Sequence, residues 1–251
     1  MTSTLKTNAI EPEGATTNLV IGESGQNTVI SNNDIRANVL QDAGGNAIFT
    51  SNGSGVLSGV NSGFGSAMVL LSTQTASDSA SLSFTSGIDS TYGEYIFKFY
   101  NVNPATDAVR FQVEFSDDAG TDWATETHKI QSTFFYTYQT ENNSGSGLAY
   151  HASHDRADSV TYSAEYIPQP LAWYVGNGAD ESLAGEMHLF NPSSTTYVKH
   201  FYSTVNEYYA TDSSRQINVA GYVNSTNAQN GVRFRCSSGN FDGTIKMWGV
   251  K

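Results

Sequence analysis

Apolar residues fall along this chain in two different rhythms. Between Asn18 and Gly65 they come as pairs: Val20-Ile21, Val29-Ile30, Val39-Leu40, Ile48-Phe49 and Val56-Leu57, spaced nine, ten, nine and eight residues apart. The spacers are Gly, Asn, Ser, Thr and Gln, of which Gly and Asn readily take the positive φ that tight turns need. Each pair predicts a short strand and each spacer a turn. Such a ribbon has little apolar surface to set against roughly 1–2 kcal/mol of backbone entropy per ordered residue. It is expected to fold only if copies of the chain wrap around one another or if its strands stack as a narrow solenoid.

From Ser66 onward the period becomes two. Ala67-Met-Val-Leu-Leu71 reads as a buried strand. Glu94 to Tyr100 sets Tyr95, Phe97 and Phe99 on one face and Glu94 and Lys98 on the other, and Phe111, Val113 and Phe115 repeat the pattern. His128 to Gln139 is rich in aromatic residues and Thr, and so strand-prone. Glu186 to Phe190, the turn Asn191-Pro192-Ser193-Ser194 and Tyr197 to Val205 predict a hairpin. Ile217 to Val223, Gly231 to Cys236 and Gly243 to Val250 supply closing strands. No stretch sustains a helical period; Thr161 to Tyr166 allows one helical turn, ended by Pro168 and Pro170. The expectation is an all-β chain: an attachment segment (1–17), a Gly/Asn-rich β stalk (18–65, intertwined or solenoid-like) and an antiparallel jelly-roll-like β-sandwich (66–251).

Composition sharpens this division. All aromatic residues except Phe49 and Phe64 lie beyond Gly65, as do most acidic ones. Hydrophobic residues make up 38% and charged residues 14%, so Ser, Thr, Asn, Gln and Gly must cover the surface, as suits an outward-facing β protein. The net charge of −12, with no Lys/Arg cluster, argues against nucleic acid and against anionic membrane surfaces as partners. The single cysteine, Cys236, alternates with Val232 and Phe234 and is expected to be a small buried residue. The first residues lack the apolar core of a signal peptide, and no apolar run is long enough to span a bilayer. Synthesis in a cytoplasm with later release in a virion is the expectation that reconciles this with the surface composition.

Gly-x-Ser-x-Gly, P-loop, Rossmann and His-Glu-x-x-His motifs are absent, and no cofactor or catalytic residue is assigned. His151-Ala-Ser-His154-Asp155, with Asp158 behind it, is the densest titratable cluster. His151, His154 and Asp155 are therefore the candidate metal ligands, against the alternative of a plain surface loop. Asp117, Asp118, Asp122, Glu126, Asp180, Glu181 and Glu186 are available for glycoside chemistry, but Asp117-Asp118-Ala119-Gly120 and Gly178-Ala179-Asp180 read first as solvated turns. The aromatic residues Tyr136, Tyr138, Trp173, Tyr174, Tyr208 and Tyr209 exceed what alternating core positions need. Trp173-Tyr174, between Pro170 and Gly176, reads as a loop. Rings beside amides and carboxylates suit sugar recognition, stacking on a pyranose while polar groups bind its hydroxyls.

Thr4-Leu-Lys-Thr-Asn-Ala-Ile10, the Gly/Asn-rich stretch after it, and the ending Ser238-Gly-Asn-Phe-Asp-Gly-Thr-Ile-Lys-Met-Trp-Gly-Val-Lys251 resemble tail-fibre and virion structural proteins of marine bacteriophages. Ser86-Gly-Ile-Asp-Ser-Thr-Tyr92 and Asn101-Val-Asn-Pro-Ala-Thr106 are similar to theirs as well. The resemblance implies a homotrimeric fibre or spike, attached to other virion proteins near its N-terminus and bearing a distal knob for a host-surface glycan. Tail, baseplate and capsid surface all remain open as its location. A capsid-decoration fibre without receptor activity is the alternative, and a glycan depolymerase the third.

Overall fold

The computed structural model describes residues 39–41, 44, 46–51, 54, 57–60, 67–123, 129–157 and 168–251. The segment 1–17, the pairs Val20-Ile21 and Val29-Ile30, the helical turn at Thr161 to Tyr166, and Glu126 and Asp158 lie outside the described residues. The chain divides into two compact units, Met1–Phe64 and Gly65–Lys251.

In the first unit, β1 (Val39–Gln41), β2 (Ala47–Ser51) and β3 (Leu57–Val60) form an antiparallel sheet in that order. Val39-Leu40 opens β1 and Ile48-Phe49 lies in β2, with Leu40 opposite Phe49 and Phe49 opposite Val60. Val39 and Leu40 remain 42% and 43% exposed. Three strands this short, with apolar residues left in water, are marginal without further cover.

The second unit is an antiparallel body of twelve strands. They are β4 (Met68–Ser79), β5 (Leu82–Phe84), β6 (Glu94–Pro104), β7 (Val109–Ser116), β8 (Ile130–Thr140) and β9 (Ser146–Tyr150). There follow β10 (Gln169–Val175), β11 (Leu183–Phe190), β12 (Lys199–Tyr209), β13 (Ser213–Val223), β14 (Gly231–Cys236) and β15 (Phe241–Val250). A large ladder runs β4-β15-β6-β11-β12-β13-β8-β9 and a smaller one runs β10-β7-β14-β5. The ladders meet at a corner, where Val175 of β10 pairs with Tyr209 of β12. At the opposite end a tight turn links β4 to β5, and the Gln74 side chain donates to the Ser83 carbonyl at 2.8 Å. The result is a nearly closed sandwich.

The alternating residues fill it. Tyr95, Phe97, Phe99, Phe111, Val113, Phe115, Phe234, Ile245 and Met247 are all essentially inaccessible to solvent. Phe234 sits among Phe84, Phe97, Phe99 and Phe111 with centroids 5.1–6.2 Å away, edge to face with Phe84 and Phe99, tilted against Phe97 and stacked on Phe111. Cys236 is buried, and burial pushes its thiol up to about 12. The hairpin around Asn191 forms in register, with Leu189 opposite Phe201. Ala67–Leu71, by contrast, is no buried strand. From Met68 it opens β4, whose strand partner among the described residues is β15, and Leu70 is exposed.

The acidic turns behave as turns. Ala119 and Gly120 both take positive φ, and Asp118 accepts from the Ser116 hydroxyl at 2.7 Å and the Asp122 N–H at 2.9 Å. Glu181 accepts from the Gly178 N–H at 2.7 Å. Glu186 pairs with Lys98 at 3.4 Å and His188 at 3.2 Å on the outer face of the large ladder.

Candidate functional site

The inner faces of β8, β13, β12 and β10 converge at the corner of the sandwich. Pairing sets Tyr138 opposite Arg215 and Arg215 opposite Glu207, a row across three strands on one face. Along β8 the inward residues go from buried Phe134 to half-buried Tyr136 and Tyr138, so the core opens into a basin at this end.

β10 supplies the other wall. Trp173 and Tyr174 lie in this strand rather than in a loop. Pro170 is tolerated because its ladder partner is β7 alone, β12 pairing only at Val175, and the register shifts directly after it, before Ala172, and again before Val175. That bulge holds Tyr174 at φ 67°, in the left-handed region. It also takes the Trp173 N–H out of the ladder, and this N–H donates instead to the Glu207 carboxylate at 2.8 Å. Tyr174 is 40% exposed and stacks on Tyr209, centroids 5.6 Å apart and planes 23° from parallel. Trp173 meets Tyr209 at 5.9 Å and Tyr136 at 6.3 Å.

Tyr136, Tyr138, Trp173, Tyr174 and Tyr209 are thus brought together, but Tyr208 is not. Residues 208 and 209 are consecutive in a strand, so their side chains leave on opposite faces. Tyr208 turns outward, its hydroxyl donating to Asp212 at 3.1 Å.

In the middle of the rings lies Arg215. Its guanidinium carbon is 3.2 Å from the Tyr209 centroid, 4.8 Å from Tyr136, 5.3 Å from Trp173 and 5.9 Å from Tyr138. Neither Arg215 nor Glu207 stands out in the linear sequence. Their signal is parity: Arg215 shares its face with Ile217 and Val219, and Glu207 with Phe201 and Val205, so each is a charged residue on an apolar face. Glu207 is fully buried, and burial drives its carboxyl well above the usual carboxylate range, against the opposing pull of Arg215 and of the Trp173 N–H.

The histidines close the floor. A single 3-10 turn, Ala152–His154, follows β9 and folds His151 and His154 against Trp173, at 4.1 Å and 5.0 Å between centroids. Their Nδ1 atoms are 2.8 Å apart, and the Ser153 hydroxyl reaches both at 2.9 and 3.1 Å. Burial lowers His151, and burial with the neighbouring His151 lowers His154 to about 3, so near neutrality both rings are uncharged and one donates to the other. Asp155 does not join them. Its carboxylate accepts from the Phe134 N–H at 2.8 Å and from the Tyr150 hydroxyl. Among the described residues no group of three or more His, Cys, Asp or Glu could hold a metal ion. Arg110, Arg156 and Arg215 also place positive charge around the pair, which works against a cation there.

Fold and site together define an antiparallel β-sandwich with an aromatic, arginine-centred basin at its corner. No family model matches the chain, and no curated protein or solved structure matches it either.

Proposed function

We propose that this chain is a bacteriophage virion fibre or spike protein, a homotrimer whose C-terminal sandwich attaches to a host-surface glycan. The observation that carries the reading is the basin: five rings from β8, β10 and β12 gathered at one corner of the sandwich, with Tyr174 outermost and solvent-exposed. Such rings supply the flat apolar platforms that a pyranose stacks on. The half-exposed Val39 and Leu40 of the short first sheet support assembly, since association of three chains would cover them. Three copies of a weak sugar site on one axis would raise avidity without any new contact. Residues 1–17 would then dock onto other virion proteins.

Trp173 is the ring that touches most of the others, so Trp173→Ala tests the reading. Calorimetric titration against a panel of bacterial surface polysaccharides should find a binder, and the variant should lose about 2 kcal/mol, roughly 30-fold in affinity. Tyr197→Ala, at an exposed ring on the loop between β11 and β12, should bind as the unaltered chain does. Equal affinity in Trp173→Ala would remove the basin from the account.

A further inference from the structure

We infer that the basin selects acidic saccharides, with Arg215 reading a carboxylate or a sulfate ester on the sugar that stacks against Trp173 and Tyr174. This rests on the sugar-binding reading above and adds the chemical class of ligand.

Arg215 Nε and Nη1 are both buried and neither has a hydrogen-bond partner. Five N–H donors on a permanently charged guanidinium are rarely left so, because each desolvated donor without an acceptor is costly. The neighbouring carboxyl does not meet the need. Glu207 uses one oxygen for the Trp173 N–H, its other oxygen Oε1 has no partner, and burial favours its uncharged form. No hydrogen bond joins Glu207 to Arg215 Nε or Nη1, so those two donors are left for another acceptor.

Position adds to this. The four rings around the guanidinium fix its plane, so little side-chain freedom remains to be lost when a ligand arrives. Nε and Nη1 are covered in the free protein, so a carboxylate or sulfate reaches this planar fork by displacing a covering ring, and its two oxygens then match the two donors. Arg110 and Arg156 lie close enough to act electrostatically on His154, and Arg215 on His151. In a chain of net charge −12 with only 12 Lys and Arg residues, three of those cations act on this corner, with the Asp155 carboxylate opposing them at His151. A neutral sugar would use the platforms and leave the charge unanswered; an acidic one uses both.

The experiment is calorimetric titration of the full chain with three tetrasaccharides: tetragalacturonate, a sulfated tetragalactose and neutral tetragalactose. At least one acidic probe should bind about 10–100-fold tighter than the neutral one, the range expected for a charged hydrogen-bonded pair. Whichever acidic probe leads distinguishes carboxylate from sulfate. The preference should shrink as salt is raised, vanish in Arg215→Gln and survive in part in Arg215→Lys. If Arg215→Gln does not fold, Arg215→Lys and the salt dependence of the unaltered chain carry the test. Equal affinity for all three probes, or a preference that Arg215→Gln keeps, overturns the inference. Neutral tetragalactose binding that Trp173→Ala abolishes, without any acidic preference, would overturn the charge reading and leave the sugar site standing. If none of the three binds, the inference is overturned whatever the wider polysaccharide panel shows, and the sugar site itself falls only if that panel is silent too.

Discussion

Phe234→Ala lowers the unfolding free energy of the sandwich by about 3–5 kcal/mol, the usual cost of removing a buried Phe ring. For a domain of this size that corresponds to a fall in melting temperature on the order of 10 °C. The size of the effect follows from where the ring lies. Phe234 is inaccessible to solvent on β14 and contacts Phe84, Phe97, Phe99 and Phe111, which come from β5, β6 and β7 of both ladders. Strands that hold these partners on either side cannot close over the gap without breaking their own ladders. Phe234→Leu should recover much of the loss, because it refills most of the volume. Thermal and urea unfolding of both variants checks this. A Phe234→Ala melt within 2–3 °C of the unaltered chain, well short of the drop expected from the relation between stability and melting temperature, would mean that the ring cluster does not organise the core.

If the chain assembles as the proposed homotrimer, removing residues 1–64 should convert it into a monomer. The chain divides at Phe64/Gly65, and the second unit has its own continuous core, so a chain starting at Gly65 keeps its fold. Among the described residues of the first unit, β1 is exposed at all three positions, including Val39 and Leu40, which suits the proposed association with other copies. Sedimentation or light scattering of the full and shortened chains reads the result directly. A full-length monomer would contradict the fibre reading, and a trimer that survives the cut would move the assembly contacts into the sandwich.

Period-two alternation made much of the fold legible. It placed Tyr95, Phe97 and Phe99 in the core, made Cys236 a buried residue, and identified the hairpin at Asn191 from its turn chemistry. The same alternation separates Tyr208 from Tyr209, since one residue of offset in a strand reverses the face. Two features were beyond it. The bulge that makes Trp173-Tyr174 a strand depends on pairing with β7 and on a corner contact with β12, which are distant in sequence. Arg215 reaches Tyr136 and Trp173 through register alone, so no local motif marks it. Asp155 shows the opposite failure. It is adjacent to His154 in sequence, yet its carboxylate is committed to the Phe134 N–H and the Tyr150 hydroxyl, because loop spacing imposes no common direction on side chains.

The central claim is that saccharide enters the basin at Trp173, and the chain's three tryptophans make this directly measurable. Trp173 lines the basin, Trp123 is buried beneath Arg233, and Trp248 lies on β15 in another part of the large ladder. Indole N–H resonances of nitrogen-labelled protein, followed during titration with a bound oligosaccharide, report the three places separately. The Trp173 signal should shift and saturate while those of Trp123 and Trp248 stay in place. Saturable binding that leaves Trp173 unmoved would contradict it.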